Sequence, residues 1–161
     1  MKKLMLFAGF LCLQPILYAN SFIPSDKIPT DKTRNSPVNA SEREQTHFKT
    51  HFTDARDAVW YNVGTENAYC MYHSGDITNR VFYDAQGYWQ YTLKSYLPAF
   101  LNSNVKDLVS YHFGNYEISY VNEIMSDGND SVYVINLENS NSIKVIQVTG
   151  DNILVRQALN K

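Results

Sequence analysis

Residues 59–93 have the sequence VWYNVGTENAYCMYHSGDITNRVFYDAQGYWQYTL, and this stretch decides the fold. Its β-forming residues recur with a period of two in four short runs, which predicts strands at residues 59–63, 68–73, 80–84 and 88–93. The breaks between the runs are rich in residues that tolerate turn dihedrals, and none has room for a crossover helix. Because the connections are short, the four strands are expected to pair antiparallel.

A helix is predicted immediately before these strands. Ser41 followed by Glu44 forms a capping-box pattern, in which the hydroxyl and the carboxylate satisfy backbone amides at a helix start. Phe48, Phe52 and Ala55 then recur at spacings of four and three and give the helix a narrow apolar stripe. The first half of the domain is therefore one helix followed by four strands.

The same pattern starts again near residue 97. Pro98 suits a first helical turn, where its missing amide hydrogen is harmless, and apolar side chains at helical spacing continue to near Gly114. This stripe consists of Leu97, Leu101, Val105, Leu108 and Val109. The segment Asn102-Ser103-Asn104 can divide the helix into two pieces. Four more strands are predicted at residues 116–125, 131–137, 143–148 and 153–156.

The two halves correspond in pattern, although few residues are identical. Neither half alone would bury much apolar surface, so the two are expected to share one sheet. The predicted fold class is α+β, with tandem α-β4 repeats at about residues 41–95 and 96–161. These repeats would form one antiparallel sheet with both helices packed on one face, which leaves the other face open.

The composition fits one folded domain. The chain has 161 residues, of which 44% are hydrophobic and 19% charged, and these values exclude disorder over its whole length. Its formal net charge of −2 lacks the basic surplus that is typical of nucleic-acid-binding proteins. No stretch reaches the ~18 apolar residues of a membrane span. We therefore expect neither a nucleic-acid partner nor a membrane span.

Two segments are predicted to precede the domain. Residues 1–19 combine two lysines, an apolar run and a tail that ends at Ala19, which is the layout of a signal peptide cleaved after Ala19. Residues 20–40 contain three prolines among polar residues and are expected to be a disordered tether. The folded domain is then expected at residues 41–161, in a periplasmic or secreted protein.

The candidate catalytic and metal-binding groups do not form a recognisable active site. His47 and His51 are spaced i, i+4 on the predicted helix and could face one metal ion, but no third ligand is evident from the spacing. Cys70 is the only cysteine after the predicted cleavage site, which excludes an intrachain disulfide. An odd separation along one strand places Cys70 and His73 on opposite faces, which argues against a catalytic dyad. We expect no catalytic residue, no metal site, no cofactor and no enzyme activity.

Aromatic residues are concentrated between residues 60 and 96. Adjacent pairs such as Trp60-Tyr61 must split between the two faces of a regular strand, so several rings are expected on the open face. Exposed tyrosines suit recognition, since they offer a large contact area with little rotamer entropy to lose. The candidate partner-binding residues are Tyr72, Tyr83 and Tyr88. Alternatively, cross-strand aromatic pairs only stabilise the sheet.

This profile of spaced aromatics and turns resembles a known family. The segments that carry the resemblance include Phe48 with Phe52 to Ala55, Val59-Trp60, Ala68-Tyr69 with Gly75, Tyr83 to Trp89, Leu97-Pro98, the strand residues Ile118, Val121, Glu123 and Ile124, and Val132 to Val134. Over about residues 45–157 they are similar to secreted β-lactamase-inhibitor-like, PepSY-like proteins of Bacteroidetes-type bacteria. Thr53 departs from the family pattern, which often has proline there. The resemblance implies a tandem α-β4 fold, and related folds bind or inhibit enzymes, including peptidases and β-lactamases.

The sequence thus predicts a secreted, non-catalytic binding module with a protein-binding or enzyme-inhibitory role in the periplasm. By analogy with the family, an envelope enzyme such as a peptidase or a β-lactamase is the candidate partner, and no oligomeric state is predicted. The alternative is a structural or stress-related envelope protein without a specific partner. A metal-dependent hydrolase built on His47 and His51 is less favoured.

Overall fold

The structure, a computed structural model, describes residues 38–64 and 67–161, which form two helices and an eight-stranded sheet. In chain order the elements are α1 (Glu42–His51), β1 (Arg56–Val63), β2 (Asn67–Ser74), β3 (Ile77–Tyr83), β4 (Trp89–Tyr96), a 3₁₀ turn (Pro98–Phe100), α2 (Ser103–His112), β5 (Glu117–Met125), β6 (Val132–Glu138), β7 (Ser142–Thr149) and β8 (Asn152–Asn160). The α+β class with one antiparallel sheet is confirmed. The predicted signal peptide and residues 20–37 of the predicted tether lie outside the described residues.

The strands lie side by side in chain order, from β1 at one edge to β8 at the other, and every neighbouring pair is antiparallel. Tight turns make this possible. Gly75 in the β2–β3 turn has φ 59° and Gly150 in the β7–β8 turn has φ 53°, a left-handed conformation that glycine adopts without steric cost. The connection from β4 to β5 is longer because it contains the 3₁₀ turn and α2.

Helix α1 begins at the predicted capping box. The Ser41 hydroxyl accepts a hydrogen bond from the Glu44 amide at 3.4 Å, and the Glu44 carboxylate accepts one from the Ser41 amide at 2.6 Å. The helix ends at His51, before Ala55, the last residue of the predicted stripe. Phe52 follows as the C-cap residue, and its amide donates to the Phe48 carbonyl oxygen at 2.9 Å.

The second helical segment is divided in two at the predicted place. Pro98–Phe100 forms a 3₁₀ turn, and α2 begins after Asn102, whose side-chain oxygen accepts a hydrogen bond from the Asn104 amide at 2.9 Å. Leu101 is buried between the two pieces, whereas Leu97 is 56% exposed. The break therefore rotates one predicted stripe residue out of the core.

Two clusters of buried side chains lie between the helices and the sheet. The cluster under α1 contains Phe48, Cys70, Tyr72, Val81 and Tyr83. The cluster under α2 contains Tyr96, Leu101, Val109, Val121, Ile135, Leu137, Ile146 and Val148. Each helix thus covers one half of the sheet.

The strand register places both clusters on the same face. Cys70 lies opposite Val81, and Val81 lies opposite Thr92, so these three side chains share a face. Tyr96 is four positions beyond Thr92 on β4 and therefore points the same way. We call this face the helix-covered face and the opposite one the open face.

Candidate functional site

The open face carries the main group of rings that the structure leaves uncovered. Tyr61 lies opposite Tyr69, Tyr69 opposite Phe82, and Phe82 opposite Tyr91. Tyr69 precedes the buried Cys70 on β2, so its side chain points away from α1. Within the described part of the chain, both helices pack on the other side of the sheet.

These four rings form a continuous stack across β1 to β4, which we call the aromatic ladder. Successive ring centroids are 5.0, 5.3 and 4.5 Å apart, and successive ring planes are inclined by 20°, 26° and 21°. Directly opposed residues on antiparallel strands are close enough for such contacts. Burial raises the pKa of both Tyr69 and Tyr91. Their hydroxyl groups therefore stay neutral at physiological pH and can both donate and accept hydrogen bonds.

Two of the three residues predicted to bind a partner are in the core. Tyr72 is 4% exposed and Tyr83 is 2% exposed, and both lie under α1 on the helix-covered face. Tyr72 meets Phe48 edge to face, with ring centroids 5.5 Å apart. The expectation that Tyr72 and Tyr83 line the open face was wrong, because they occupy the strand positions that point toward the helix.

Tyr88, the third predicted residue, is 56% exposed in the β3–β4 turn. The Arg43 guanidinium lies 4.4 Å from the centre of its ring and donates to the Gln86 carbonyl oxygen at 3.2 Å. Gly87 has φ 79°, and a Cβ there would lie 3.1 Å from Ser41 Oγ, so the turn needs glycine where it meets the start of α1. Tyr88 remains a candidate contact residue at this corner.

A row of polar groups crosses the open face beside the aromatic ladder. Arg80 Nη1 donates to Ser95 Oγ at 3.5 Å, and Ser95 Oγ donates to Asn122 Oδ1 at 2.8 Å. Ser95 is only 5% exposed although it points away from both helices, and its hydroxyl contacts both Arg80 and Asn122. Strand alternation shows which residues share a face, but the sequence carried no signal that would single out Arg80 or Ser95.

His47 and His51 contact each other and the core. Their rings stack with centroids 4.2 Å apart, and His47 Nδ1 forms a hydrogen bond of 3.1 Å with the Tyr83 hydroxyl. Burial and, to a smaller extent, the neighbouring His51 lower the pKa of His47. Within residues 38–64 and 67–161, no group of three or more His, Cys, Asp or Glu side chains is arranged to hold a metal ion.

Cys70 is a core thiol. Its side chain is completely buried in the cluster under α1, and burial raises its pKa to about 12. The reactive thiolate is therefore scarce at neutral pH. His73 lies on the same strand but is exposed, so the pair does not form a nucleophile and base.

We expect the Cys70 thiol to be unreactive in the folded protein. In a chain that begins at Asn20, a disulfide reagent such as DTNB should release almost no thionitrobenzoate until guanidinium chloride unfolds the protein. A Ser140→Cys variant supplies the control, because Ser140 is exposed in the β6–β7 turn and its thiol should react at once. Native-state labelling of Cys70 at a rate similar to that of the control would mean that this thiol is accessible to chemistry.

Together the fold and this surface define a class: α+β proteins with an eight-stranded antiparallel sheet, helices on one face and an aromatic-rich open face. No family model and no curated protein matches the chain. Several solved structures, however, are similar to this chain in fold. A DUF2874 family protein from Bacteroides ovatus has a TM-score of 0.61 at 16% identity and covers 76% of this chain and 89% of its own. A BLIP-like protein from Bacteroides fragilis has a TM-score of 0.61 at 14% identity, with 76% and 87% covered.

A third similar structure is described as one of the "putative periplasmic proteins" of Bacteroides eggerthii, with a TM-score of 0.59, 12% identity, and 76% and 90% covered. At these identities the likeness shows the fold. The predicted resemblance to β-lactamase-inhibitor-like proteins of Bacteroidetes-type bacteria is confirmed at that level, and the predicted periplasmic or secreted location agrees with the third description. The described residues contain no helix that is long and apolar enough to cross a membrane.

Proposed function

We propose that this protein is a non-catalytic periplasmic or secreted module that recognises another protein with its open face. The observation that carries the proposal is the aromatic ladder, which places four rings side by side on a sheet face away from both helices. Rings that served only the hydrophobic core would be expected under a helix, where Tyr72 and Tyr83 lie.

The stacking of the aromatic ladder favours a protein partner over a sugar or a nucleobase. Tyr69 and Phe82 each have a neighbouring ring on both sides, so both of their faces are already covered. A planar ligand needs a free ring face on which to stack, and within the aromatic ladder the neighbouring rings leave only the outer faces of the two end rings, Tyr61 and Tyr91. Ring edges and hydroxyl groups remain available, and these suit the mixed apolar and polar contacts of a protein interface.

The residues beside the aromatic ladder have the composition of an interface. Met71, Arg80 and Leu93 lie directly opposite one another on β2, β3 and β4 and continue the open face. Tyrosine, methionine and arginine are the residue types that protein interfaces enrich. We infer that the contact surface includes this row as well as the aromatic ladder.

The edges of the sheet are less suitable for partner binding than its face. Both edge strands are irregular: the register shifts between Arg56 and Val59 on β1, and between Val145 and Ile146 where β7 pairs with β8. Such bulges twist an edge and discourage the addition of another strand. This supports recognition through side chains of the open face.

We further propose that the two helix-plus-four-strand halves are repeats of one unit and that an envelope enzyme is the partner. The BLIP-like description of one similar structure supports testing β-lactamases and peptidases first. The second candidate function is a structural or stress-related envelope protein. Cross-strand ring pairs favour it, because each can stabilise a sheet by ~0.2–1 kcal/mol without any partner.

The test combines affinity capture from the native envelope fraction with titration of purified periplasmic β-lactamases and peptidases. A Tyr69→Thr/Phe82→Thr variant removes the two inner rings but keeps β-forming residues. We expect this variant to stay folded and to bind the partner at least about 100-fold more weakly, since central aromatic residues dominate binding energy.

Tyr111→Thr is the matched control for this experiment. Tyr111 is 85% exposed on α2, so its replacement removes an exposed ring without touching the sheet. Binding by the control should equal that of the unaltered protein. If the variant without the inner rings binds as tightly as the control, or if no envelope protein is retained, the structural role is favoured instead.

A further inference from the structure

We propose that Arg80 is the anchor for an acidic side chain of the partner, so that the open face recognises a protein loop carrying a carboxylate between apolar residues. This inference rests on the proposed function, because it specifies the chemistry of the loop that the open face binds. It is carried by the position of Arg80, by the single long hydrogen bond that its guanidinium makes to the described residues, and by the lack of acidic residues at the neighbouring open-face positions of β2, β3 and β4.

Arg80 lies at the centre of the first half of the open face. It is half-buried on β3, two residues from Phe82 of the aromatic ladder, and lies opposite Met71 on one side and Leu93 on the other. The Arg80 side chain is therefore flanked by apolar and aromatic residues on its own and the neighbouring strands, and it is only partly exposed to water. In such surroundings a charged hydrogen bond is stronger than on an open surface.

The guanidinium has few partners within the described residues. Its one hydrogen bond there, to Ser95 Oγ, is 3.5 Å long, whereas a guanidinium carries several N–H donors in a planar fork. Arg156 provides the contrast, because its Nε and Nη2 donate to Gln147 Oε1 at 3.0 and 2.6 Å. Within residues 38–64 and 67–161, the one ion pair joins Lys161 and Glu138. No carboxylate of these residues therefore pairs with Arg80.

The neighbouring open-face positions carry no acid. The register and alternation of β2, β3 and β4 give these positions as Tyr69, Met71, His73, Thr78, Phe82, Tyr91, Leu93 and Ser95. Arg80 is half-buried and has no counter-ion among the described residues, so folding has already removed part of the water around its guanidinium. A partner carboxylate that binds there loses less free energy to desolvation and gains a strong electrostatic interaction. The charge of the site therefore selects an acidic group.

A protein carboxylate fits this site better than a phosphate backbone. Polyanion binding depends on several cations in a row, and the open-face positions next to Arg80 on β2, β3 and β4 contain no lysine and no second arginine. Arg56 shares the open face but lies opposite His73 on the edge strand β1, two strands from Arg80. One planar guanidinium matches one carboxylate in a bidentate arrangement. The apolar side chains of Met71 and Leu93 would then contact the residues on either side of the acid.

The probe for this inference is a phage-displayed library of disulfide-closed random loops. The loops are selected for binding to a chain that begins at Asn20. Some selected loops should bind the unaltered protein but not the Tyr69→Thr/Phe82→Thr variant. We expect these loops to be enriched in Asp or Glu next to an apolar residue. For a selected loop, Asp→Asn in the loop and Arg80→Gln in the protein should each weaken binding at least about tenfold. Combined, the two changes should cost little more than either one, as in a coupled pair.

Two further variants distinguish the guanidinium from charge in general and from misfolding. Arg156→Gln removes the same charge from a different part of the sheet and should leave binding unchanged. Arg80→Lys keeps the charge but loses the planar fork, so it should bind between the level of Arg80→Gln and that of the unaltered protein. Thermal melting of each variant verifies that it is folded.

The outcomes separate this inference from the proposed function. Loops that need the aromatic ladder but bind Arg80→Gln as tightly as the unaltered protein would overturn the role of Arg80 and leave recognition by the open face standing. Selected loops without acidic residues, or displacement of the loops by a DNA oligonucleotide, would overturn it too. If no selected loop responds to loss of the inner rings, recognition by the open face itself is wrong.

Discussion

The Tyr83→Ala variant is expected to lose about 3–5 kcal/mol of its free energy of unfolding, the range for large aromatic residues removed from a core. The Tyr83 ring is 2% exposed and lies between α1 and the sheet. Its centroid is 5.4 Å from that of Trp60 and 5.6 Å from that of His47, and its hydroxyl forms a hydrogen bond with His47 Nδ1. Alanine would leave a cavity under α1 and remove the hydrogen-bond partner of His47.

Urea denaturation followed by tryptophan fluorescence measures this loss. Tyr88→Ala is the matched control, because Tyr88 is exposed and its replacement removes only the contact with the Arg43 guanidinium, so it should change the free energy of unfolding by no more than about 1 kcal/mol. Tyr83→Phe keeps the ring and should cost only about 0.5–1.5 kcal/mol for the hydrogen bond. Equal stability of Tyr83→Ala and Tyr88→Ala would contradict the placement of Tyr83 in the core.

This result matters for any binding experiment on the tyrosines. A combined replacement of Tyr72, Tyr83 and Tyr88, which the sequence pattern suggests, would remove two core rings together with one surface ring. The loss of binding by such a variant would report unfolding. Variants of Tyr69 and Phe82 avoid this difficulty, since neither residue belongs to a buried cluster.

The helices and strands could be predicted because their signals are local. The capping box at Ser41 and Glu44 sets the start of α1, and alternation over a few residues sets each strand. Even the break before α2 follows from the cap-forming Asn102. These signals depend on neighbours in sequence, so they do not require knowledge of the tertiary structure.

The face on which each ring lies could not be predicted, because a β-bulge changes the phase of β4. Phe82 lies opposite Tyr91, but the next residue, Tyr83, lies opposite Trp89, which leaves Gln90 as an extra residue. Trp89 therefore packs with the cluster under α1, whereas Tyr91 stacks in the aromatic ladder. Simple alternation would place these two rings on the same face.

The residues of the candidate site could not be predicted from the sequence for a related reason. Alternation separates Tyr69 from Cys70 and Phe82 from Tyr83, but it does not tell which member of each pair the helix covers. That choice is made by Phe48, which packs against Tyr72 and Trp60 and so fixes the side of the sheet on which α1 lies. Arg80 becomes a candidate anchor only once this side is known.

The second large effect is expected for Leu101→Ala, which should lower the free energy of unfolding by about 2–5 kcal/mol. Leu101 follows the 3₁₀ turn, is 7% exposed and belongs to the cluster under α2. Truncation would leave a cavity where the 3₁₀ turn and α2 meet the sheet. Packing of α2 on β5 and β6 depends on this cluster, which includes Val121 and Ile135.

Leu97→Ala is the matched control for Leu101→Ala, because both leucines belong to the stripe that the sequence predicts for the second helix. Leu97 is 56% exposed and precedes the 3₁₀ turn, so its truncation should cost no more than about 0.5 kcal/mol. Chemical denaturation of both variants, with the dependence on urea concentration compared, measures the difference. Similar losses would show that the second helix runs unbroken from Leu97, because only a continuous helix turns both leucines toward the sheet.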